Sequence, residues 1–412
     1  MRVLGIKGNL AIIGQGYVGL PLAIAACDAG WKVTGIDVSV DKVKALNSGN
    51  SHVEDVGHQV LRSVIDSGLY KASQDGSSIA DCEICVICVP TPLDQNGLPD
   101  LTFLESAVRL VANHLPLNAL LISESTSYPG TVRNFVKPLV ASIRPDGAER
   151  MLFASAPERV DPRNEKWNMK NTPRLVSGID EDSTKRAMDF YSSICDTVIE
   201  VSKPEVAEMA KLLENTFRQV NIALVNQLVP FCKEIGVDIR EVVEAAGSKP
   251  YGYMKFFPGA GVGGHCIPID PLYLLWKARQ VGVELPFVAK ADEINGGMPS
   301  YVATRLLESA KPSKGETMAI LGVAYKAGVS DVRESPAEHV AKELESQGYK
   351  VVWADPLVEN FHKYEKFSGH QLKGAIVVTA QAGLPVVELA ASGVKILDCT
   401  GAFKGIQGVE QL

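Results

Sequence analysis

The sequence predicts an α/β protein in which two open, doubly wound parallel sheets are joined by a long central helix. Short apolar strand segments alternate with helical segments up to residue 160, and this alternation resumes near Thr317. It is the pattern of parallel sheets with crossover helices. Between the two regions, helical periodicity runs unbroken from Ser202 to Gly236. Because 412 residues exceed one ordinary core, we predict domains over residues 1–200, 201–300 and 311–412.

The composition and charge of the chain limit the classes of binding partner that we expect. The net charge is −7 and no long basic cluster occurs, so we expect the protein to bind neither nucleic acid nor a membrane. No apolar stretch approaches the roughly 18 residues that a transmembrane helix requires. The N-terminus runs directly into a strand, which predicts a cytoplasmic protein. Its eight cysteines are then expected to be reduced thiols.

Cys82, Cys85 and Cys88 have a spacing that suggests metal ligands, but their apolar neighbours predict a buried strand. Residues three apart in a strand face opposite sides, and residues six apart are separated by roughly 20 Å. The three thiols therefore cannot share one ion, and we predict no metal site.

The first predicted strand, Leu10–Ile13, runs into G-Q-G-Y-V-G at residues 14–19, and a small-residue helix over Leu20–Ala29 follows. In a Rossmann dinucleotide site, these glycines permit a tight turn, close approach to the pyrophosphate and close helix packing. The next strand, Lys32–Ile36, is closed by Asp37, which can accept hydrogen bonds from the ribose hydroxyls and repel a 2′-phosphate. We predict an NAD site; the alternative is an α/β turn without a cofactor.

Polar turns follow three further predicted strands. Thr91 and Thr126 lie in two of these turns, and Glu158 and Arg159 lie in the third. Ligands of open parallel sheets bind at the carboxyl ends of the strands, so Thr91 and Thr126 are candidate cofactor contacts. Glu158 and Arg159 bring a carboxylate and a guanidinium to the same edge. The alternative for these two charges is simple solvation.

The long helical segment begins with the capping-box sequence Ser202-Lys203-Pro204-Glu205. A helix of this length commonly joins two domains and supplies an oligomer surface. On it, Lys211, Asn215 and Arg218 stand at i, i+4 and i+7, so two cations and an amide share one face. The alternative is a solvated polar stripe.

A glycine-rich stretch over residues 258–269 has the features of an active-site loop. Its four glycines let the backbone approach a ligand closely, and Cys266 lies near its end. Asp270 is predicted to cap the following helix, with Pro271 in the first turn. A cysteine just ahead of a helix N-terminus is favoured as the thiolate. The alternative is a buried structural cysteine after a flexible turn.

The C-terminal region repeats the strand–helix pattern. A helix is predicted over Asp292–Ala310, a strand over Thr317–Val323 and a helix over Ser335–Glu345. Lys326 and Arg333 lie in the loop between that strand and the helix after it. Charged loops at such a position suit phosphate binding, and solvent exposure without a ligand is the alternative.

From about Leu10 onward the chain resembles the nucleotide-sugar 6-dehydrogenases of the UDP-glucose/GDP-mannose dehydrogenase family. The resemblance is carried by G-Q-G-Y-V-G-L-P-L-A, V-P-T-P-L, E-S-T-x-x-P-G-T, A-P-E-R-V-D-P, A-E-x-x-K-x-x-x-N, G-x-G-G-H-C-I-P-x-D and A-Y-K-x4-D-x-R-x-S-P. It implies an NAD-binding Rossmann domain, a central helix that forms a homodimer, and a C-terminal UDP-binding α/β domain.

The resemblance implies that Cys266 is the nucleophile of a four-electron oxidation. Converting a primary alcohol to an acid requires two hydride removals. A thiohemiacetal on the cysteine holds the intermediate aldehyde, and the resulting thioester is then hydrolysed.

Five further positions match catalytic residues of the family. Lys211 and Asn215 would stabilise the oxyanions and place water. Asp270 would support that water and Lys211. Thr126 and Glu158 would assist proton transfer and hydrolysis.

The resemblance also implies binding contacts. The positions that match cofactor contacts are Gly14, Gly16, Tyr17, Val18, Gly19, Asp37, Lys42, Pro90, Thr91, Thr126 and Arg333. The positions that match contacts to a UDP-sugar substrate are Glu158, Arg159, Val160, Lys211, Asn215, Arg218, Lys249, Tyr251, Phe256, Phe257, Gly259, Gly263, Tyr325 and Lys326.

Within the family, the segment Ser248–Tyr253, S-K-P-Y-G-Y, is similar to the T-K-P-F-G-F form of UDP-N-acetylglucosamine dehydrogenases. We therefore expect UDP-N-acetylglucosamine as substrate, with UDP-N-acetylmannosamine, UDP-N-acetylgalactosamine and UDP-glucose as alternatives. A catalytically silent protein that binds NAD and a nucleotide sugar is a further alternative. The sequence departs from the family pattern at Thr400, where many relatives have the arginine of a D-x-R sequence.

Overall fold

The structure, a computed structural model, describes residues 6–160, 164 and 166–412. Asp161 and Pro162, the last residues of A-P-E-R-V-D-P, lie outside the described residues. The chain divides into two compact units, Met1–Leu213 and Glu214–Leu412; the three domain boundaries drawn from the sequence stay predictions. Over the described ranges, every helix is too short or too polar to cross a membrane.

The first unit is built on one sheet of eight short strands. These are β1 Asn9–Ile13, β2 Lys32–Ile36, β3 Tyr70–Ser73, β4 Ile84–Ile87, β5 Leu120–Ser123, β6 Leu152–Ser155, β7 Arg174–Gly178 and β8 Val198–Glu200. The order across the sheet is β3-β2-β1-β4-β5-β6-β7-β8. Neighbouring strands are parallel, except that β6 and β7 are antiparallel. The predicted doubly wound sheet is confirmed.

Helices cover both faces of this sheet. They are α1 Gly19–Asp28, α2 Val40–Asn47, α3 His58–Asp66, α4 Thr102–His114, α5 Lys137–Ile143, α6 Pro145–Arg150 and α7 Glu181–Ser192, with a 3-10 turn at Gly76–Ile79 and a π turn at Val132–Val136. Leu10, Ala11 and Ile12 in β1 are fully buried. A strand covered on both faces is apolar throughout instead of alternating, which explains why these strands appear as continuous apolar runs.

The strand order reverses at β1, which pairs with β2 on one side and β4 on the other. Leu10 faces Val33 in one register and Ile84 in the next. Crossover connections leave this point in opposite directions, so a crevice opens at the carboxyl ends of β1 and β4. Ligands of open α/β sheets bind at such a point.

Helix α8, Pro204–Glu234, has 31 residues and contains residues of both units. It ends two residues before Gly236, so the predicted extent of the helix is confirmed. Its first residue follows Lys203 and not Ser202, and the predicted capping box of Ser202 and Glu205 stays a prediction. Its length exceeds that of ordinary globular helices.

The second unit repeats the sheet architecture with six strands. They are β9 Thr317–Leu321, β10 Lys350–Ala354, β11 Glu365–Lys366, β12 Leu372–Val377, β13 Lys395–Asp398 and β14 Val409–Gln411. Their order is β11-β10-β9-β12-β13-β14, and all pairs are parallel. The helices are α9 Ile239–Ala246, α10 Asp270–Gln280, α11 Pro286–Ala310, α12 Pro336–Ser346 and α13 Val386–Ala391.

Two helix starts differ from the prediction. Asp270 is the first residue of α10 and does not cap it; Ile269 holds the cap position, without a side-chain cap bond. Helix α11 begins at Pro286, six residues before the predicted Asp292. Proline is tolerated in the first turn because its missing N–H has no intrahelical acceptor there.

Candidate active site

The glycines of the first turn have the geometry that a dinucleotide requires. Gly14 has φ of 92°, and a Cβ on it would lie 2.5 Å from the carbonyl oxygen of Cys88. A Cβ on Gly19 would lie 1.8 Å from the carbonyl oxygen of Gly14. By contrast, a Cβ on Gly16 would meet no atom within 4 Å. The turn is therefore tightly packed at Gly14 and Gly19, whereas open space lies next to Gly16. A pyrophosphate fits in this space.

The N-terminus of α1 adds amide donors to this cradle. Val18 occupies the cap position and makes no side-chain cap bond, and the first turn contains no acidic residue. The amides of the first turn and the positive end of the helix dipole suit an anion. Tyr17, half-buried, lies in the turn between Gly16 and Val18.

Asp37 at the end of β2 is 8% exposed and holds two turns together. Its two oxygens accept the backbone N–H groups of Gln15 at 3.0 Å and Ser39 at 2.9 Å. The Nζ atom of Lys42 lies 3.7 Å from this carboxylate. Each carboxylate oxygen has a second lone pair, so the group can still accept ribose hydroxyls. The residues of this unit fit NAD.

Sequence reasoning missed the role of Gln15, the middle residue of G-Q-G. Its buried amide donates to the carbonyl of Ile12 at 2.9 Å and accepts the Tyr70 hydroxyl at 2.8 Å. A Cβ on Gly35 would lie 2.6 Å from the Gln15 amide, so β2 has a glycine beside it. This polar core contact fixes the phosphate turn against β2 and β3.

The loops after β4 and β5 are joined by hydrogen bonds. The Thr91 hydroxyl donates to the carbonyl of Thr126 at 2.6 Å. The Ser125 hydroxyl accepts the N–H of Val89 at 2.9 Å and donates to its carbonyl at 2.8 Å. Thr91 and Thr126, predicted from separate motifs, therefore lie together, with Pro90 between Val89 and Thr91.

Glu158 belongs to a buried ion network that the sequence did not reveal. The Arg174 guanidinium at the start of β7 lies 2.6 Å from Glu158 and 3.2 Å from Glu124. The second Glu158 oxygen accepts the N–H groups of Arg159 at 2.6 Å and Val160 at 2.7 Å. The carboxylate thus organises the predicted substrate segment.

The two carboxyl groups of this network have opposite pKa shifts. Burial raises the pKa of Glu124 to about 7, because the guanidinium only partly offsets it. Burial would also raise the pKa of Glu158, but Arg174 and the two backbone N–H groups outweigh burial and lower it. Tyr191 donates to Glu124 at 2.6 Å, and the Cys88 thiol lies 3.4 Å from it. One guanidinium therefore favours ionisation of Glu158 over that of Glu124.

Glu208 on α8 is a second anchor without an assignment from the sequence. Its carboxylate oxygens accept the N–H groups of Gly130 at 2.5 Å and Val132 at 3.1 Å. Arg133 next to them donates to Glu205 at 2.7 Å. The segment that follows Thr126 is thereby tied to the first turns of α8. The A-E-x-x-K pattern was the available signal, since Glu208 is the acidic residue of that motif.

Lys211, Asn215 and Arg218 follow one another along α8. Lys211 is 9% exposed, Asn215 half-buried and Arg218 exposed. The Asn215 amide donates to the Asp270 carboxylate at 2.5 Å. Asp270 is 4% exposed, so its carboxylate faces α8 instead of capping α10. Asn215 and Asp270 therefore form one polar pair, and the catalytic roles predicted for them stay predictions.

Cys266 is exposed and lies in the turn ahead of α10, where its carbonyl accepts the N–H of Asp270 at 2.9 Å. A Cβ on Gly263 would lie 2.7 Å from Pro336, and one on Gly264 would lie 2.9 Å from the Tyr325 ring. The glycines thus let the loop pack closely on the segment that precedes α12. They present the thiol to solvent just before a helix N-terminus.

The other end of the glycine-rich loop is fixed to α8 and α11. The N–H of Gly259 donates to Asn226 at 3.0 Å, and Asn226 donates to Asn295 at 2.9 Å. Asn295 in turn donates to the carbonyl of Gln219 at 3.0 Å. Such a buried amide chain gives the loop one position.

Hydrogen bonds fix part of the loop between β9 and α12, which contains the predicted site residues Tyr325, Lys326 and Arg333. Arg333 makes a bidentate pair with Asp331, at 2.9 Å from Nε and 2.6 Å from Nη2. Burial opposes ionisation of Asp331, but Arg333 lowers its pKa. The N–H of Tyr325 donates to the carbonyl of Asp331 at 3.0 Å, with Lys326 next along the chain.

Lys249 and Tyr251 lie on the surface of the second unit. The Lys249 ammonium is 5.2 Å from the Tyr251 ring centroid, and Tyr251 is 73% exposed. Phe256 packs edge-to-face on Phe217 of α8 at 5.7 Å. The substrate contacts predicted for Lys249, Tyr251 and Phe256 stay predictions.

Another arginine lies beside Thr400, which stands where many relatives have an arginine. Arg240 on α9 donates to the carbonyls of Pro258 at 2.8 Å and Cys399 at 2.5 Å. Its guanidinium lies 5.6 Å from the Phe257 ring centroid. Thr400 itself donates to Asp398 at 2.6 Å. The edge beside Thr400 thus retains a guanidinium from a different element.

Comparison with known proteins shows three domains of one family in order. The NAD binding domain of the UDP-glucose/GDP-mannose dehydrogenase family matches residues 8–195. The central domain of that family matches residues 205–296, and its UDP binding domain matches residues 319–397.

Individual relatives cover most of the chain. A UDP-N-acetyl-D-mannosamine dehydrogenase of Pyrococcus horikoshii is 36% identical over 362 residues, 86% of this chain and 85% of the relative. The structure of a UDP-D-ManNAc dehydrogenase from that organism matches with a TM-score of 0.87 and 30% identity, covering 98% of each chain. A UDP-glucose dehydrogenase structure from Pyrobaculum islandicum matches with a TM-score of 0.89 and 27% identity, covering 100% of this chain and 98% of that one.

Proposed function

This chain belongs to the UDP-glucose/GDP-mannose dehydrogenase family, and on that premise we propose that it oxidises C6 of a UDP-N-acetylhexosamine to the carboxylate. The family makes it an NAD-dependent nucleotide-sugar dehydrogenase. The observation that carries the four-electron reaction is the exposed Cys266 thiol, which lies just ahead of α10 and of Asp270. A thiol presented in this way can hold an aldehyde until its second oxidation.

In the proposed reaction, the alcohol loses a hydride and a proton to become an aldehyde. The Cys266 sulfur adds to the aldehyde carbon and forms a thiohemiacetal, which loses a second hydride to become a thioester. Water then cleaves the thioester and regenerates the thiol. The balance is one alcohol, two NAD⁺ and one water giving one carboxylate, two NADH and three protons.

Charge on the reacting oxygens requires donors in a water-poor environment. Lys211 is buried on α8 and supplies an ammonium, one helical turn before the amide of Asn215. The Asn215–Asp270 hydrogen bond orients that amide. We assign Lys211 and Asn215 to the oxyanions of both oxidation steps and Asp270 to water. Thr126 is assigned to proton transfer.

The cofactor site is assigned to the first unit, where NAD accepts both hydrides. Gly14, Gly16 and Gly19 would hold its pyrophosphate, and Asp37 would hold the adenosine ribose, as supported by the open space above Gly16 and the second lone pairs of Asp37.

Two nucleotide sugars are the leading candidates for the substrate. The S-K-P-Y-G-Y segment at Ser248–Tyr253 favours UDP-N-acetylglucosamine. The name of the Pyrococcus horikoshii relative favours UDP-N-acetylmannosamine. Since the family resemblance in this segment is specific to the N-acetylglucosamine form, we propose that sugar first.

A panel of UDP-sugars tests the proposal. UDP-N-acetylglucosamine, UDP-N-acetylmannosamine, UDP-N-acetylgalactosamine and UDP-glucose are compared by NADH absorbance, and kcat/KM is determined for each. The highest value is expected for UDP-N-acetylglucosamine. A higher value for UDP-N-acetylmannosamine would transfer the assignment to that sugar, and the absence of NADH with all four would refute the activity.

We also propose that the chain forms a homodimer through α8. The helix leaves a stripe of large apolar side chains exposed at spacings of three, four and seven residues, which places them on one face. They are Phe217, Leu224, Leu228 and Phe231.

A further inference from the structure

Arg240 of α9 joins two segments that lie far apart in the sequence. Its Nη2 atom donates to the carbonyl of Pro258, at the start of the glycine-rich loop, at 2.8 Å. The same atom donates to the carbonyl of Cys399, just after β13, at 2.5 Å. Hydrogen bonds from a guanidinium are charge-assisted and stronger than those between neutral groups. One side chain therefore links the loop that carries Cys266 to the sheet of the second unit.

The surroundings of Arg240 leave room for this side chain and for little else. Gly401 has φ of 77°, and a Cβ on it would lie 2.7 Å from the Cδ atom of Arg240. On another side, the guanidinium lies 5.6 Å from the centroid of the Phe257 ring, within reach of a cation–π contact. The stem and the head group of Arg240 are thus both in contact with neighbouring residues.

The turn that offers the Cys399 carbonyl is itself fixed. Asp398 is fully buried, and its carboxylate accepts the N–H groups of Thr400 at 2.7 Å and Phe403 at 2.9 Å. Arg240 therefore connects the glycine-rich loop to a rigid anchor.

At the loop, one peptide group is held at both of its polar atoms. The Pro258 carbonyl and the Gly259 N–H belong to the same peptide. Arg240 holds the oxygen, and Asn226 of α8 accepts the N–H at 3.0 Å. Ala260, the next residue, is 3% exposed. A peptide with both atoms bonded cannot rotate without breaking a hydrogen bond, so the loop leaves this point in one direction.

The far end of the loop has separate hydrogen bonds. The N–H of Gly264 donates to the carbonyl of Glu334 at 3.2 Å, and the carbonyl of Cys266 accepts the N–H of Asp270 at 2.9 Å. The position of the thiol therefore depends less on Arg240 than the position of the first half of the loop does.

We infer that Arg240 is a positioning residue for the UDP-sugar, because it fixes the half of the glycine-rich loop that precedes Gly263. This inference rests on the proposed function, which requires the substrate contacts predicted for Phe257, Gly259 and Gly263. Arg240 acts through the peptide that it holds, and loss of its hydrogen bonds weakens substrate binding more than it slows the chemical steps.

Arg240→Met tests this role, because methionine keeps much of the apolar stem but donates no hydrogen bond. We expect the KM for the most active UDP-sugar of the panel to rise at least tenfold, with kcat within threefold of wild type. Arg240→Lys keeps a cationic donor on a shorter side chain and should give an intermediate KM. A role in the stability of the fold alone would lower Tm and leave KM unchanged. Wild-type KM values in both variants would therefore overturn the inference.

Lys404→Met is the matched control. Lys404 is 60% exposed and donates at 2.8 Å to Asp238, the N-cap residue of α9. This contact also joins α9 to the turn after β13, but it does not involve the glycine-rich loop. Lys404→Met should therefore keep the wild-type KM. A tenfold rise in this control would show that the connection of α9 to β13 matters and that the Pro258 carbonyl does not.

Hydrogen exchange at the Gly259 amide supplies a readout that needs no activity. Because Arg240 holds the oxygen of the same peptide, the amide should exchange at least tenfold faster in Arg240→Met than in wild type, and at the wild-type rate in Lys404→Met. Unchanged exchange in Arg240→Met would refute the positioning role. If wild type oxidises no sugar of the panel, the proposed function fails, while the exchange result still decides whether Arg240 fixes the loop.

Discussion

Cys266 differs in its surroundings from the other seven cysteines, all of which lie in the described part of the chain. Cys88 is half-buried and the remaining six are buried. Burial raises the pKa of the Cys27 and Cys82 thiols to about 12, which leaves them protonated and unreactive. Cys266 is exposed and close to a helix N-terminus. Exposure and position thus distinguish one thiol for covalent chemistry.

Cys266→Ala should abolish complete turnover while the protein still binds NAD and UDP-sugar, because the glycine turns and binding loops are unchanged. We expect a loss of several powers of ten in kcat, on the order of 4 kcal/mol or more in barrier. Product stoichiometry measures it, with two NADH per sugar expected for wild type. Cys82→Ala is the control and should keep that ratio. Acid formation by Cys266→Ala near the wild-type rate would contradict the covalent mechanism.

Residues whose role depends on local sequence could be predicted, and residues whose role depends on distant partners could not. The φ of Gly14 and the acidic end of β2 follow from spacing along a few positions. Arg174 acquires its role only because folding brings it to Glu124, fifty positions earlier in the chain. The prediction for Asp270 as a cap was wrong for the same reason: its carboxylate binds Asn215 on another helix.

At the scale of elements, the extent of α8 was predicted because its apolar periodicity is long, and the helix continues through Pro230. The sequence did not reveal a role for its buried acid, Glu208. Burial raises the pKa of Glu208 to about 7, although two backbone N–H groups oppose the shift. A folded-state pKa above the ordinary 4.5 means that the folded protein binds this proton more tightly. The associated stability is complete below pH 4.5 and is lost as the pH rises through 7.

Glu208→Gln should remove this pH dependence. Wild type is expected to lose on the order of 2–3 kcal/mol of stability at this site between about pH 5 and pH 8. The Tm of Glu208→Gln relative to wild type should therefore rise over that range, as measured by differential scanning calorimetry. Glu205→Gln, one turn away, is the matched control. Arg133 lowers the pKa of Glu205 against the effect of burial, so its Tm difference should stay flat. A flat difference for Glu208→Gln as well would show that Glu208 titrates below this range.

At the scale of the whole molecule, both sheets begin with the same turn. Gly14 and Gly322 have φ of 92° and 74°, and the next residue donates its N–H to Asp37 at 3.0 Å or to Asp355 at 2.9 Å. A Cβ on Gly322 would lie 1.8 Å from the carbonyl oxygen of Thr379. The second turn lacks the other two glycines of G-x-G-x-x-G. The strands of the second sheet could therefore be predicted from their apolar runs, but this turn could not. The two turns therefore share their backbone geometry, although the residues expected to contact a ligand differ between them.

The stripe of large apolar side chains on α8 is exposed in the second unit. Leu224 and Phe231 are 54% and 59% exposed. Burying a side chain of this size stabilises an assembly by about 1.5–3 kcal/mol. Large apolar residues repeated along one helix face are therefore expected to be covered by another chain, and the same helix of a second copy presents a complementary surface by two-fold symmetry.

Leu224→Arg should dissociate the proposed dimer, because a buried arginine from each copy would place two like charges together without partners. Sedimentation velocity should give twice 44.3 kDa for wild type and 44.3 kDa for the variant. Phe231→Arg, two helical turns further along the stripe, should give the same result. Val387→Arg is the matched control: Val387 on α13 is 57% exposed but stands outside the stripe, so this variant should keep the wild-type mass. A monomeric wild type, or a Leu224→Arg variant that keeps the dimer mass, would show that α8 is not the interface. Retained NAD binding by the monomeric variant would separate loss of assembly from loss of the fold.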